Sequence, residues 1–444
     1  MSYIFSKTGC VKGFGCYPWI SPFTGSGGVL NYVGLTENRQ EHNLLKGPQR
    51  IDTMTAVKTG LEIISESPPA SLKRQRMGLL CNPASVDSHY THARERILRA
   101  FPGQLKTLYS PQHGFYAERQ DNMIESEDRS DSITGLPVFS LYGETRVPTF
   151  AMMDPIDVML VDLQDVGTRV YTFMYTLSHC MEAARQYGKK IIVLDRPNPL
   201  GGLRVEGNLL TADCSSFVGR YPIPMRHSLT IGELAVLFNT RFGIGCDLEV
   251  VSMKGWKREM TFDQTGLPWV APSPNLPTPA SARVYPGQVI WEGTNISEGR
   301  GTTQPFELFG APFIAPDRLI KHIDNRFLSG VVLRPVEFEP TSHKWAGHPC
   351  KGFQIHVTDP EVYSPYALSL GFYQAIYQAY PDNFAYKQPP YEYEYTRLPM
   401  DLIIGDRLIR SQIEAGTPLK DIISAWGDSL STYTKMIKNI YIYN

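Results

Sequence analysis

Two stretches decide the fold: Ile156-Asp157-Val158-Met159-Leu160-Val161-Asp162-Leu163 and Lys190-Ile191-Ile192-Val193-Leu194-Asp195. Each is a short apolar run rich in β-branched residues that closes on an acid. Runs of this length, bounded by turn residues, read as parallel strands buried on both faces. Residues 77–82 (MGLLCN) and 104–110 (QLKTLYS) read the same way. Helical patterns lie between them, over 92–101, 171–187 and 230–242. The second carries Phe173, Leu177, Cys180, Met181 and Ala184 on one face, and the third opens with Thr230 and Glu233 as a capping box. Strand alternating with helix implies an α/β fold with a doubly wound parallel sheet.

The chain has 444 residues, which implies two to three domains. After residues 247–253 the texture changes, and a proline-rich stretch, 272–286, is expected to run extended. Beyond it, short strands (331–338, 352–357) mix with helices (367–380, 406–415), a smaller α+β domain. The expected division is an irregular extension over 1–50, an α/β domain over 51–246 and an α+β domain over 247–444.

The formal charge is −1, so neither nucleic acid nor an acidic membrane surface is expected as partner. No apolar stretch is long enough to span a membrane, and no signal peptide is visible, which points to the cytoplasm. The seven cysteines are scattered, with no CxxC pair, and are expected to be reduced and buried. No oligomeric state can be read.

In a doubly wound sheet, ligands bind beyond the carboxyl ends of the strands. Those ends here are polar: Asn82, Ser110 to His113, Asp162 to Asp165, and Asp195 with Arg196. Asn82-Pro83-Ala84-Ser85 stands where a glycine-rich nucleotide fingerprint would be, and no Walker pattern occurs, so no nucleotide cofactor is expected. The densest polar segment is 291–303 (WEGTNISEGRGTT), flanked by apolar runs that pin it to the core. Its carboxylates, guanidinium, amide, hydroxyls and glycines suit a hydroxyl-rich ligand.

Glycoside hydrolysis needs two carboxyl groups flanking the bond. Glu292, Glu298, Asp162, Asp165, Glu118 and Glu125 are the candidates, while Asp162 and Asp165 could instead hold a hard cation. His113 and His227 fit structural hydrogen bonding as well as binding. No GxSxG elbow supports a serine triad.

Residues 110–115 (SPQHGF), 141–143 (LYG), 161–172 (VDLQDVGTRVYT), 195–202 (DRPNPLGG) and 292–310 together resemble the exo-β-N-acetylmuramidase NamZ family. The resemblance implies a Rossmann-like N-terminal domain, a smaller C-terminal domain and a site in the cleft between them. It implies release of N-acetylmuramic acid from the non-reducing end of peptidoglycan fragments; on the residues themselves, no cofactor and no metal site are expected. Arg300 or Arg169 would hold the sugar's lactyl carboxylate. Asn82, Gln112, His113, Tyr171, Asp195, Arg196, His227, Asn275, Asn295 and Thr303 complete the expected carbohydrate-binding set. The family's Pro-Glu-His-Gly motif reads Pro111-Gln112-His113-Gly114 here, and glutamine cannot shuttle a proton. Either another acid takes the role, or the substrate differs, or the protein binds glycan without cleaving it.

Overall fold

The computed structural model describes residues 57–120 and 123–444; the expected extension over 1–50, with Cys10 and Cys16, lies outside them. Strands β1 (Met77–Cys81), β2 (Leu105–Ser110), β3 (Arg129–Ser130), β4 (Pro137–Ser140), β5 (Val158–Asp162) and β6 (Lys190–Leu194) come first along the chain. They are followed by the hairpin β7 (Glu206–Leu209) and β8 (Pro224–Arg226), and then by β9 (Asp247–Val251). The large sheet runs β3-β4-β2-β1-β5-β6-β9, with every pair parallel except β3 against β4. Taken in chain order, its six parallel strands lie 3-2-1-4-5-6, the Rossmann arrangement. The expected fold class is therefore what the chain adopts. β1 and β5 are buried along their whole length, as their unbroken apolar sequences require.

The helices form for local reasons. Thr230 caps Ile231–Thr240, its hydroxyl accepting from Glu233 N while Glu233 reaches back to the Thr230 amide. Helix Phe173–Tyr187 ends on Gly188 at φ 64, a left-handed cap that suits glycine. It is buried on more than the one expected face, with Met174, Tyr175 and Thr176 also inside.

The smaller unit holds an antiparallel sheet, β10 (Leu308–Ala311), β12 (Cys350–Val357) and β11 (Val331–Phe338), packed with helices such as Pro365–Ala379. Two expectations meet a different arrangement. Strand β9 was taken to begin the second domain, yet it pairs with β6 at the edge of the first sheet. The stretch 272–286 was expected to be extended, but Pro279–Gln288 is a helix. Thr278 caps it and Pro279 occupies its first turn, where a missing amide proton costs nothing. The cysteines at 81, 180, 214, 246 and 350 are free and buried, as expected. None of the described helices is long and apolar enough to cross a membrane.

The two units share one apolar core, which runs from Leu80 and Tyr109 through Trp291 and Phe309 to Ile437. Arg169 fastens them. Its guanidinium, fully buried, donates to the carbonyls of Asn208 and Ile223 (2.8 and 3.1 Å) and of Ile403 and Ile404 (3.1 and 2.5 Å). A Cβ on Gly405 would meet its Nη2 at 2.7 Å. The expected carboxylate-binding role for Arg169 is thus corrected: all its contacts are to backbone. Arg169→Met should lower unfolding stability by roughly 3–5 kcal/mol, since it removes four charge-assisted hydrogen bonds to buried carbonyls. Chemical denaturation compared with the wild-type chain measures this.

Candidate active site

Two cavities adjoin at Glu292 and Arg300, the first lined from both units and the second from the smaller unit alone. The first is walled by Gln112 and His113 after β2, Tyr171 to Phe173 at a helix start, Asn275, and Glu292, Arg300, Tyr391 and Glu392. The second, about 890 Å³, is bounded by Thr294, Asn295, Glu298, Lys344 and Lys387, and shares Glu292 and Arg300 with the first. That pair is a wall common to both.

Two carboxyl groups face the first cavity. Glu292 lies on a tight 3-10 turn, Val289–Gly293. It takes a hydrogen bond from Arg300 Nη2 on Oε1 (2.6 Å) and from the Tyr391 hydroxyl on Oε2 (2.7 Å). Glu392 is 4% exposed and sits at φ 47, beside Tyr393 at φ 66, in the left-handed region that side chains rarely adopt. Strain of this kind gathers where geometry serves a site. Glu392 accepts from Tyr142 on Oε2 (2.6 Å) and from Gln112 Nε2 on Oε1 (3.0 Å). Burial pushes its carboxyl above the ordinary value, and the charge of Glu292 adds to the push, while Tyr142 and Gln112 pull the other way. Burial likewise raises Tyr142, which stays a neutral donor. The arrangement therefore sets a carboxyl whose pKa is raised and an ion-paired carboxylate on one cavity.

Glu298 is built for a different task. Against the upward push of burial, Lys344 and Arg300 hold its carboxyl below the ordinary range. Its contacts are Lys344 Nζ at 2.6 Å and Arg300 Nε at 3.1 Å. It orients Arg300, whose Nη1 is buried without a hydrogen-bond partner.

Of the residues singled out in the sequence, Gln112, His113, Tyr171, Asn275, Glu292 and Arg300 come together at the first cavity, and Asn295, Glu298 and Arg300 line the second. Several others serve the framework. Asp162 is held by Arg196 through two bonds (2.5 and 2.9 Å), and its own carbonyl accepts from Ser85. Asp165 accepts from Gly167 N at 2.7 Å and pairs with His227 at 3.2 Å. Asp195 accepts from Thr230, Gly232 and Tyr443; burial pushes its carboxyl up to about 7 against those bonds. Asn82 donates to the Pro272 carbonyl at 2.7 Å. Glu118 is exposed beside Arg129, Glu125 is exposed near Tyr393, and Thr303 is exposed. The switch point between β1 and β5, where a Rossmann sheet usually receives its ligand, is thus filled by Ser85, Asp162 and Arg196, and the open space lies one strand over, beyond β2. No group of three His, Cys, Asp or Glu that could hold a metal occurs among the described residues.

Glu392, Tyr391 and Tyr142 were not among the expected site residues. Tyr391-Glu392-Tyr393-Glu394-Tyr395 reads as a polar surface run after Pro389-Pro390. The aromatic density beside paired prolines was the available signal.

With this geometry in view, the comparisons with known proteins fall into place. The N-terminal and C-terminal models of exo-β-N-acetylmuramidase NamZ match residues 77–280 and 283–443. The chain belongs to the NamZ family. It is 42% identical, over 87% of its length and 91% of the relative's, to peptidoglycan β-N-acetylmuramidase NamZ of Bacillus subtilis (strain 168). Two crystal structures of DUF1343 family proteins from Bacteroides fragilis NCTC 9343 share the fold. One has a TM-score of 0.78 at 35% identity, covering 88% of this chain and 99% of that one. The other has a TM-score of 0.69 at 27% identity, covering 87% and 99%.

The raised Glu392 carboxyl has a consequence for stability. Folding favours its protonated form, so its contribution is fully present below the ordinary value of 4.5 and is lost as pH rises through the folded-state value. The melting temperature of Glu392→Gln relative to wild type should therefore climb between pH 4 and pH 8. A gap that does not change with pH would count against a perturbed carboxyl.

Proposed function

We propose that the protein is an exo-acting glycosidase that releases N-acetylmuramic acid from the non-reducing end of peptidoglycan fragments, with Glu392 as general acid and Glu292 as its ionised counterpart. The observation that carries this reading is the pair of buried carboxyl groups on one cavity, one pushed toward its protonated form and one ion-paired with Arg300. Membership of the NamZ family and the named Bacillus subtilis relative support it.

Each oxygen of Glu392 accepts one hydrogen bond, which leaves a lone-pair position for the proton. That proton passes to the glycosidic oxygen as the bond to the anomeric carbon breaks. Glu292 faces the positive charge that develops on the ring; water then adds to the anomeric carbon as the new hydroxyl and gives up its proton to the Glu392 carboxylate, restoring the acid. The buried Nη1 of Arg300, which has no hydrogen-bond partner among the described residues, is placed to receive the sugar's carboxylate. Asn275, His113 and Tyr171 line the same space and offer polar contacts to the sugar. The wider second cavity takes the leaving portion of the glycan, since it opens from the other side of the Glu292–Arg300 wall. Because Glu392 supplies a proton donor, Gln112 in place of the family's glutamate does not leave the site without an acid.

A chromogenic N-acetylmuramic acid glycoside tests the reading. Turnover is expected to survive a chelator, and Glu392→Gln and Glu292→Gln should each lower kcat by about 10²–10⁴-fold. Saturable sugar binding without turnover in the wild-type protein would replace hydrolysis with glycan binding. Loss on chelation would indicate a metal-dependent reaction.

A further inference from the structure

Gln112 is buried, and every polar atom of its side chain is engaged. Its amide nitrogen donates to Glu392 Oε1 at 3.0 Å and to the Tyr142 hydroxyl at 3.2 Å. Its oxygen accepts from the Thr172 hydroxyl at 2.6 Å. A carboxamide has two N–H donors and one carbonyl, so this set uses both donors and fixes which end faces Glu392. Three anchors of the larger unit thus converge on it: the turn after β2, the segment after β4, and the start of helix Phe173–Tyr187. The carboxyl that it holds arrives from the far end of the chain.

We propose that Gln112 is the positioning residue for Glu392: a neutral donor that fixes the carboxyl plane and keeps Glu392 the only acid at that end of the cavity. The inference rests on Glu392 acting as the acid. The chemistry at this contact favours an amide. A carboxylate in the same place would lie within hydrogen-bond reach of Glu392, and the two would share one proton and titrate as a pair. An amide holds the carboxyl just as firmly, takes no proton and, after proton transfer, donates to the carboxylate left behind. The other groups that bear on Glu392 are already placed. Tyr142 donates to it, Glu292 repels its charge, Arg146 attracts it, and Tyr391 and Tyr285 stand by as phenols whose hydroxyls burial keeps protonated. Arg146 also stacks on Tyr393 with its guanidinium carbon 3.5 Å from the ring centre, securing the next residue of the strained turn. Gln112 is therefore the neutral member of a shell whose charges are otherwise set.

The pH dependence of kcat/KM for wild type, Gln112→Glu, Gln112→Ala and Glu392→Gln decides the matter, using the chromogenic glycoside and the full-length protein. A general acid gives a basic limb, with activity falling as pH rises through the acid's value. Gln112→Glu, close to isosteric, should move that limb upward by about 1 pH unit or more, because a neighbouring carboxylate holds the proton on the pair. Gln112→Ala should also move it upward, through loss of a donor to the ionised form, and should lower kcat more than it changes KM. If both variants lose activity while the limb stays where it is in the wild type, Gln112 is merely structural and the inference is overturned. If Glu392→Gln keeps the wild-type limb and rate, the assignment of the acid fails first, which is a separate outcome. Should Gln112→Ala not fold, as judged by its melting curve, Gln112→Glu alone decides.

Discussion

A single guanidinium with nowhere to go but backbone sets the relation between the two units. Arg169 is wholly enclosed, and burial lowers its pKa from the ordinary arginine range. It donates to four carbonyls, two from the strand–loop region around 208–223 and two from the end of helix Pro399–Ile404. An arginine fits this demand better than any other side chain, since it spreads five donors over a rigid plane. The unit that supplies Glu292 and Glu392 is thereby locked against the unit that supplies Gln112, Tyr142 and Thr172, and the cavity between them keeps its shape without ligand.

The site follows from that lock. Acids that would be ordinary on a surface are held in a water-poor space, where burial raises the pKa of Glu392 and Glu292 is held by the Arg300 cation. The wall formed by Glu292 and Arg300 belongs to both cavities, so whatever spans them passes the ion pair. Glu298 and Lys344 stand behind Arg300 and keep its head turned. Chemistry, orientation and the division of space thus share a few buried charges.

Much of the fold was legible because it rests on local pattern. Runs such as 156–163 and 190–195 announce buried strands, and Thr230 with Glu233 announces a helix start. The helix after Thr278 was not legible, because a cluster of prolines suggests extended chain unless one proline falls in a first turn. Half of the site was legible for the same reason: Glu292, Arg300 and Gln112 lie in motifs whose composition is unusual. The strand-end acids misled, since Asp162 and Asp195 look available in sequence and are consumed by Arg196, Thr230 and Tyr443 in space. Glu392 was hidden because its meaning is wholly tertiary. Nothing beside it in sequence reveals that Tyr142 and Gln112 wait for it.

Gln112 and Glu392 stand 280 residues apart. During synthesis the larger sheet can pair, and its half of the cavity can form, while the acid is still untranslated. Both walls of the cavity are therefore present only once the segment that carries Glu392 has been made and has docked.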